Sequence, residues 1–192
     1  MESSYYAMVF RMKYINRWVL MRNMSPETLS EHSLQTAMIA HCLAIIGKRR
    51  LKKPTDPDKV LAAALFHDTA EVLTGDLPTP VKYYNNEIKS AYKKIESVAE
   101  QKLLSLLPSD LADDFADIYS PDEETKKYVK AADKLSAYLK CKEELLLNNK
   151  EFAVAEQTTL SAIKNMNMPE AEMFLKEFLP AFEQPLDNSI DR

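Results

Sequence analysis

The sequence predicts an all-α fold. Glycine occurs only 2 times in 192 residues, far below the usual share of roughly 7%, so tight β-turns and hairpins have little to be built from. Apolar residues recur mainly at three- and four-residue spacing, the period of a helix with one buried face. Helix-start signatures recur as well: Thr28-x-x-Glu31, Asp56-Pro57 and Ser120-Pro121-x-Glu123 each place a capping oxygen or a proline where a first turn leaves its amides unsatisfied. No repeat, low-complexity block or linker divides the chain, and its length suits one substantial core. Residues 1–192 are therefore expected to form a single domain with a loose tail from about residue 184.

The elements follow in order. Residues 3–15 carry Tyr6, Val9, Phe10 and Tyr14 at the spacing of a short amphipathic helix. A loop over 16–27 leads to a second helix that opens near Thr28, places His32 in its first turn and runs to about Arg50, with basic residues where the helix dipole favours them. Lys52-Lys53-Pro54 ends it. A third helix spans about 57–73 and is closed by Gly75, after which the two prolines of Gly-Asp-Leu-Pro-Thr-Pro (75–80) require a rigid loop. Residues 81–107 read as helical with room for an interruption, Pro108-Ser109-Asp110 restarts a short helix ending near Ile118, and a long helix from Pro121 to about Asn148 carries Asp133. A helix over 151–165 and a last one from Pro169 complete the pattern.

Composition excludes several functions. Net charge is -4 with Lys and Arg scattered among acids, so there is no footprint for DNA or RNA and no nucleic-acid partner is expected. The longest apolar stretch, Ala37 to Ile46, is broken by His41 and is too short to span a membrane; with no leader pattern at the start, a cytoplasmic protein is expected. Cys42 and Cys141 are too few and too far apart for a disulfide framework and read as reduced core thiols.

The chemistry concentrates on the third helix. In Leu-Ala-Ala-Ala-Leu-Phe-His-Asp-Thr-Ala-Glu (61–71), titratable groups at His67, Asp68 and Glu71 follow a continuous apolar run, and the spacing places them on one side of a helix. Burying such groups costs several kcal/mol each unless they are paired or ligate a metal. A His-Asp dipeptide alone is also found as a core histidine beside a surface acid. His32 at the start of one helix and Asp133 at the edge of a small-residue face on another allow three helices to meet. Two imidazoles and two carboxylates suit Mn²⁺, Co²⁺, Fe²⁺, Zn²⁺ or Mg²⁺ and leave positions for water and substrate. His41, nine residues from His32, projects from the opposite face.

On these residues the chain resembles the HD-domain phosphohydrolases, whose signature is a His, a His-Asp pair and a distant Asp: here His32, His67-Asp68 and Asp133. More closely, Ile-Asn-Arg-Trp (15–18), Leu-Met-Arg-Asn (20–23), Glu-His-Ser-Leu-Gln (31–35), residues 67–83 and Lys-Ala-Ala-Asp-Lys-Leu-Ser-Ala-Tyr-Leu-Lys-Cys (130–141) are similar to the bacterial 5'-deoxynucleotidases of that superfamily. The resemblance implies hydrolysis of deoxyribonucleoside 5'-monophosphates with one divalent metal ion, Co²⁺, Mn²⁺ or another transition metal, with Mg²⁺ or Zn²⁺ as alternatives. It implies metal ligation by His32, His67, Asp68 and Asp133, and a homodimer. Glu71 is the expected orienter or base for water, Arg17 a phosphate clamp, and Asp76 a proton donor or a sugar ligand. Trp18, Leu77, Pro78 and Thr79 are implied substrate contacts together with Arg17, Asp76 and the ligands His32, Asp68 and Asp133. A dNTP, a cyclic nucleotide or an alarmone is the alternative substrate, and a non-catalytic nucleotide sensor the alternative class.

Overall fold

The computed structural model describes residues 2–188 other than Tyr83 and Leu186, with Thr79 described by its backbone alone. α1 (Tyr5–Val9) passes into a 3-10 turn (Phe10–Tyr14). α2 (Leu29–Arg50), α3 (Pro57–Phe66), α4 (Glu71–Thr74), α5 (Thr79–Lys82), α6 (Asn86–Leu104), α7 (Ala112–Tyr119) and α8 (Glu123–Leu146) follow. A second 3-10 turn (Lys150–Phe152) precedes α9 (Ala153–Lys164), α10 (Pro169–Glu177) and α11 (Leu179–Phe182). Among the described residues there is no strand, only an isolated antiparallel bridge between Asn16 and Thr28. The all-α expectation holds.

Start signals in the sequence act where they stand. The Thr28 hydroxyl accepts from the Glu31 amide while the Glu31 carboxylate accepts from the Thr28 amide at 2.7 Å, a reciprocal cap. Asp56 caps α3 with Pro57 in its first turn. At α8 the cap is Asp122 rather than Ser120, its Oδ1 accepting from the Thr125 amide at 2.8 Å, so Pro121 stands before the helix.

Other boundaries also differ from the expected ones. The first helix tightens to a 3-10 turn at Phe10. The helix expected over 57–73 stops at Phe66, and residues 67–70 form a tight turn held by Thr69 N–H to the Phe66 carbonyl and Glu71 N–H to the Asp68 carbonyl. The cause is local: the His67 ring nitrogen Nδ1 and the Thr69 hydroxyl, both at 2.7 Å, bond the carbonyls of Ala64 and Phe66, which a continuing helix would use. Gly75 adopts φ 74°, as expected of a helix-ending glycine. The rigid loop covers only 75–78, because Pro78 accepts from the amides of Val81 and Lys82 and starts α5. α6 opens later than expected, where the Asn85 carbonyl oxygen caps the Ile88 amide at 2.8 Å. The expected tail from 184 lies partly outside the described residues.

α2 is the central element, packed on α3, α8 and α10. Ala37, Ala40 and Ala44 of α2 are buried with Ala64 of α3 and Ala131 and Ala132 of α8; such small side chains let helix axes approach closely. Leu43, Val60, Leu135 and Phe174 fill the remaining core. A second cluster of Tyr5, Val9, Met12, Leu29, Leu103 and Leu107 seats α1 on α6. Cys141 is buried and Cys42 half-buried, both as free thiols.

One buried carboxylate is pinned from several sides. Glu144 of α8, wholly enclosed, accepts from the amides of Met24 and Ser25, from the Asn149 side chain and from Lys140 Nζ. It thereby fastens the end of the 16–27 loop to α8. Burial disfavours its charge, but Lys140 and these donors outweigh burial and hold its pKa at about 2. An unfolded Glu titrates near ~4.3, so this stabilisation is complete above about pH 5 and fades as pH falls towards 2. Glu144→Gln is expected to cost roughly 3 kcal/mol at neutral pH, with the deficit shrinking as urea unfolding is followed from pH 5 to pH 2.5. A deficit constant over that range would contradict this account.

Candidate functional site

The close approach of α2, α3 and α8 brings together side chains far apart in sequence. His32 points from the first turn of α2 and is wholly buried. Its Nε2 lies 3.2 Å from Asp133 Oδ1 of α8 and 3.7 Å from Asp68 Oδ2. His67 Nε2 lies 3.2 Å from the same Asp68 oxygen. One ligand atom from each of His32, His67 and Asp68 falls within 4.8 Å of the others. Donors about 2.1 Å from a common ion would stand about 3.0–3.4 Å apart, so these separations are close to those of a coordination shell.

Both imidazoles are oriented from behind. His67 Nδ1 bonds the Ala64 carbonyl at 2.7 Å and His32 Nδ1 faces the Ser136 hydroxyl at 3.2 Å. In each ring this turns Nε2 towards the shared space, the orientation that metal-ligating histidines need; that of His32 also faces the Thr36 hydroxyl at 3.4 Å. Among the described residues His67 Nε2 is buried with no hydrogen-bond partner of good geometry, and it approaches Asp68 Oδ2 at 3.2 Å. A buried nitrogen of this kind beside the Asp68 carboxylate, with Asp133 against His32, is a fitting place for a cation. The charges agree. Burial disfavours a proton on His67, yet Asp68, with Asp133 and the Ala64 carbonyl, outweighs burial and raises its pKa to about 9. The site's negative charge draws positive charge to that nitrogen, and a divalent ion would take the proton's place.

Arg17 closes one side. Its Nη1 stands 3.5 Å from Asp68 Oδ2 and its Nε donates to Glu27 Oε2 at 3.2 Å. Trp18, at a left-handed φ of 56°, donates its indole N–H to the same Glu27 oxygen at 3.0 Å and packs its ring 5.3 Å from that of Phe152. Glu71 begins α4 and is buried, with Oε2 unpartnered among the described residues. Burial, then the carboxylates of Asp68 and Asp76, push its pKa up to about 9 against the pull of Lys82 and Arg17. Burial likewise raises Asp76, opposed by Arg17. Asp76, Leu77 and Pro78 lie half-buried on the turn after Gly75, while the Thr79 side chain lies outside the described residues. His41 sits apart, 3.9 Å from Asp58 on the rim of α3.

Three parts of the site carried no sequence signal: Glu27, which holds Arg17 and Trp18, and the partners of the two rings, Ser136 and the Ala64 carbonyl. Ser136 stands one helical turn beyond Asp133, a spacing that gains meaning only once His32 is known to lie opposite.

A model of the YfbR-like 5'-deoxynucleotidases matches residues 4–182 of the chain. The chain belongs to that family. This 5'-deoxynucleotidase family member is 50% identical over 189 residues to a 5'-deoxynucleotidase of Vibrio parahaemolyticus, covering 97% of each chain. It is 46% identical to one of Cronobacter sakazakii, over 97% of this chain and 95% of that one. Among solved structures, an HD-domain phosphohydrolase of Listeria innocua superposes with a TM-score of 0.81 at 21% identity, over 93% of this chain and 88% of that one. A cyanophage S-2L HD phosphohydrolase bound to dA and one catalytic Zn²⁺ ion superposes at 0.65 with 17% identity, over 91% of this chain and 95% of that one. The expected HD-domain phosphohydrolase fold and the expected family are both correct, and the protein is a hydrolase of the phosphomonoesterase kind.

Ser136→Ala is expected to weaken binding of Co²⁺ or Mn²⁺ by about tenfold, the usual cost of losing a group behind a ligand, while the thermal midpoint of the ion-free protein changes little. Unchanged affinity in a metal titration would remove Ser136 from the site.

Proposed function

We propose that this chain hydrolyses deoxyribonucleoside 5'-monophosphates to deoxynucleoside and phosphate, with one divalent ion held by His32, His67, Asp68 and Asp133. The observation that carries the reading is the convergence of three of these donors within 4.8 Å, with Asp133 against His32 and an arginine alongside. Such an ion supplies Lewis acidity, neutralising phosphoryl oxygens and making water a better nucleophile.

The chain's own groups supply the rest. Arg17, held at Nε by Glu27 and at Nη1 by Asp68, can offer its other N–H groups to phosphoryl oxygens, whose fork geometry it matches. Among the described residues Glu71 has an oxygen without a partner, and burial, Asp68 and Asp76 raise its proton affinity. The positive charge of an ion at the neighbouring ligands would offset that rise and leave a carboxylate able to take the proton of the attacking water. Asp76 is the group raised by burial on the turn opposite Arg17; a protonated carboxyl there can donate to the leaving O5' or bond the 3'-hydroxyl. His32, Asp68 and Asp133 also border the phosphate, and Trp18, Leu77 and Pro78 wall the nucleoside, with Thr79 the further contact that the family resemblance implies. Trp18 does so as a braced edge, its ring on Phe152 and its N–H on Glu27, rather than as a free stacking plate. The substrate is a small molecule, and among the described residues no helix is long and apolar enough to cross a membrane. The reading extends to residues 1–192 acting as one domain, as a homodimer in the cytoplasm, with Co²⁺ or Mn²⁺ ahead of other divalent ions.

The test is phosphate release from dAMP and dTMP against AMP across a metal panel. The deoxy substrates are expected to turn over and AMP to react poorly. Glu71→Ala is expected to lose about 10²-fold or more in kcat with stoichiometric metal retained. Equal turnover of AMP would refute the sugar selection, and pyrophosphate release from a triphosphate would move the site to another substrate class.

A further inference from the structure

Lys82 stands outside the ligand set, yet its ammonium reaches the group on which proton transfer turns. Its Nζ lies 3.9 Å from Glu71 Oε1, 2.8 Å from Glu96 Oε1 and 4.8 Å from the centre of the Tyr92 ring. Tyr92 donates to the Gly75 carbonyl at 3.1 Å, directly before Asp76. α5, which carries Lys82, is a single turn of 4 residues, too short to hold itself by backbone bonds alone. The Glu96 ion pair and the Tyr92 ring therefore fasten it to α6.

The two oxygens of Glu71 meet different surroundings. Oε1 faces the Lys82 ammonium, whereas Oε2 is buried with no hydrogen-bond partner among the described residues. A glutamate has three side-chain torsions, and in a pocket shared with Asp68 and Asp76 repulsion would turn its carboxylate away from the site. A lysine acts as a compact point charge on a flexible stem, which suits holding one oxygen at ion-pair range without consuming the other.

We infer that Lys82 is a positioning residue for the hydrolysis: it holds Oε1 of Glu71 so that Oε2 is free for the attacking water, and through Glu96 it links that orientation to the docking of α5 and the Asp76 turn. The inference rests on the reading of Glu71 given above. It predicts an effect on kcat that passes through Glu71, with little change in substrate or ion binding.

The experiment measures kcat, KM for dAMP and bound metal in the full chain. Lys82→Met is expected to lower kcat about 10- to 100-fold, the usual cost of a mispositioned group, with KM and metal content nearly unchanged. Lys82→Arg should recover much of that loss, and Glu96→Gln, remote from the reacting atoms, should fall between. On a Glu71→Ala background Lys82→Met should cost nothing further, since the two act as one unit. Full activity of Lys82→Met, no recovery in Lys82→Arg, or an undiminished loss on the Glu71→Ala background would each overturn the assignment. Should Lys82→Met not fold, Glu96→Gln decides: wild-type kcat there overturns it. A wild-type chain that releases no phosphate from dAMP would instead sink the reading of the site, and this inference with it.

Discussion

One oxygen of Asp68 faces the Nε2 atoms of both His32 and His67 and the guanidinium of Arg17. Such a meeting demands that residues from the 16–27 loop, from α2 and from the turn after α3 reach a common point, while Asp133 reaches in from α8. The alanines along α2, α3 and α8 make the approach sterically open, and the break at residues 67–70 aims the His-Asp pair across it. Desolvating so many ionisable groups is unfavourable in itself. Mutual pairing offsets part of that cost, and a cation held among the carboxylates would offset more.

The break in the third helix shows how local chemistry serves the site. A continuous helix would use the Ala64 carbonyl for a backbone amide. In the protein the His67 ring bonds that carbonyl instead, which fixes the orientation of the imidazole and shortens the helix in one step. The Thr69 hydroxyl, bonding the Phe66 carbonyl and the Tyr119 hydroxyl, holds the turn from its other side and connects it through Tyr119 to Tyr5 of α1. Helix propensity is weak compared with such side-chain competition, which explains why periodicity alone extended the helix to residue 73.

Much of the architecture was legible because its determinants are local. Scarce glycine, three- and four-residue periodicity and the caps at Thr28 and Asp56 mark the helices, and the costly polar groups after Ala62–Phe66 mark the chemistry. What escaped depends on partners distant in sequence. Glu27 carries no pattern of its own; its role follows from the loop folding back so that Arg17 and Trp18 both reach it. Trp18 reads as a stacking platform until Phe152, from beyond the end of α8, is seen against it. The same limit applied to Asp122, which caps α8 two residues later than the proline signature suggested. Boundaries depend on which side-chain oxygen reaches an amide, and several candidates stood side by side.

Glu27 has one more consequence. It is buried, it bonds Arg17 through its side chain and, by its carbonyl, through the Arg17 amide at 2.9 Å, and it fixes Trp18 beside them. A free arginine loses roughly 2 kcal/mol of rotamer entropy when it is immobilised. Here much of that ordering belongs to folding, so on the proposed reading of Arg17 a phosphate would meet a guanidinium whose torsions are already settled. Affinity gained in this manner comes from stiffness rather than from added contacts.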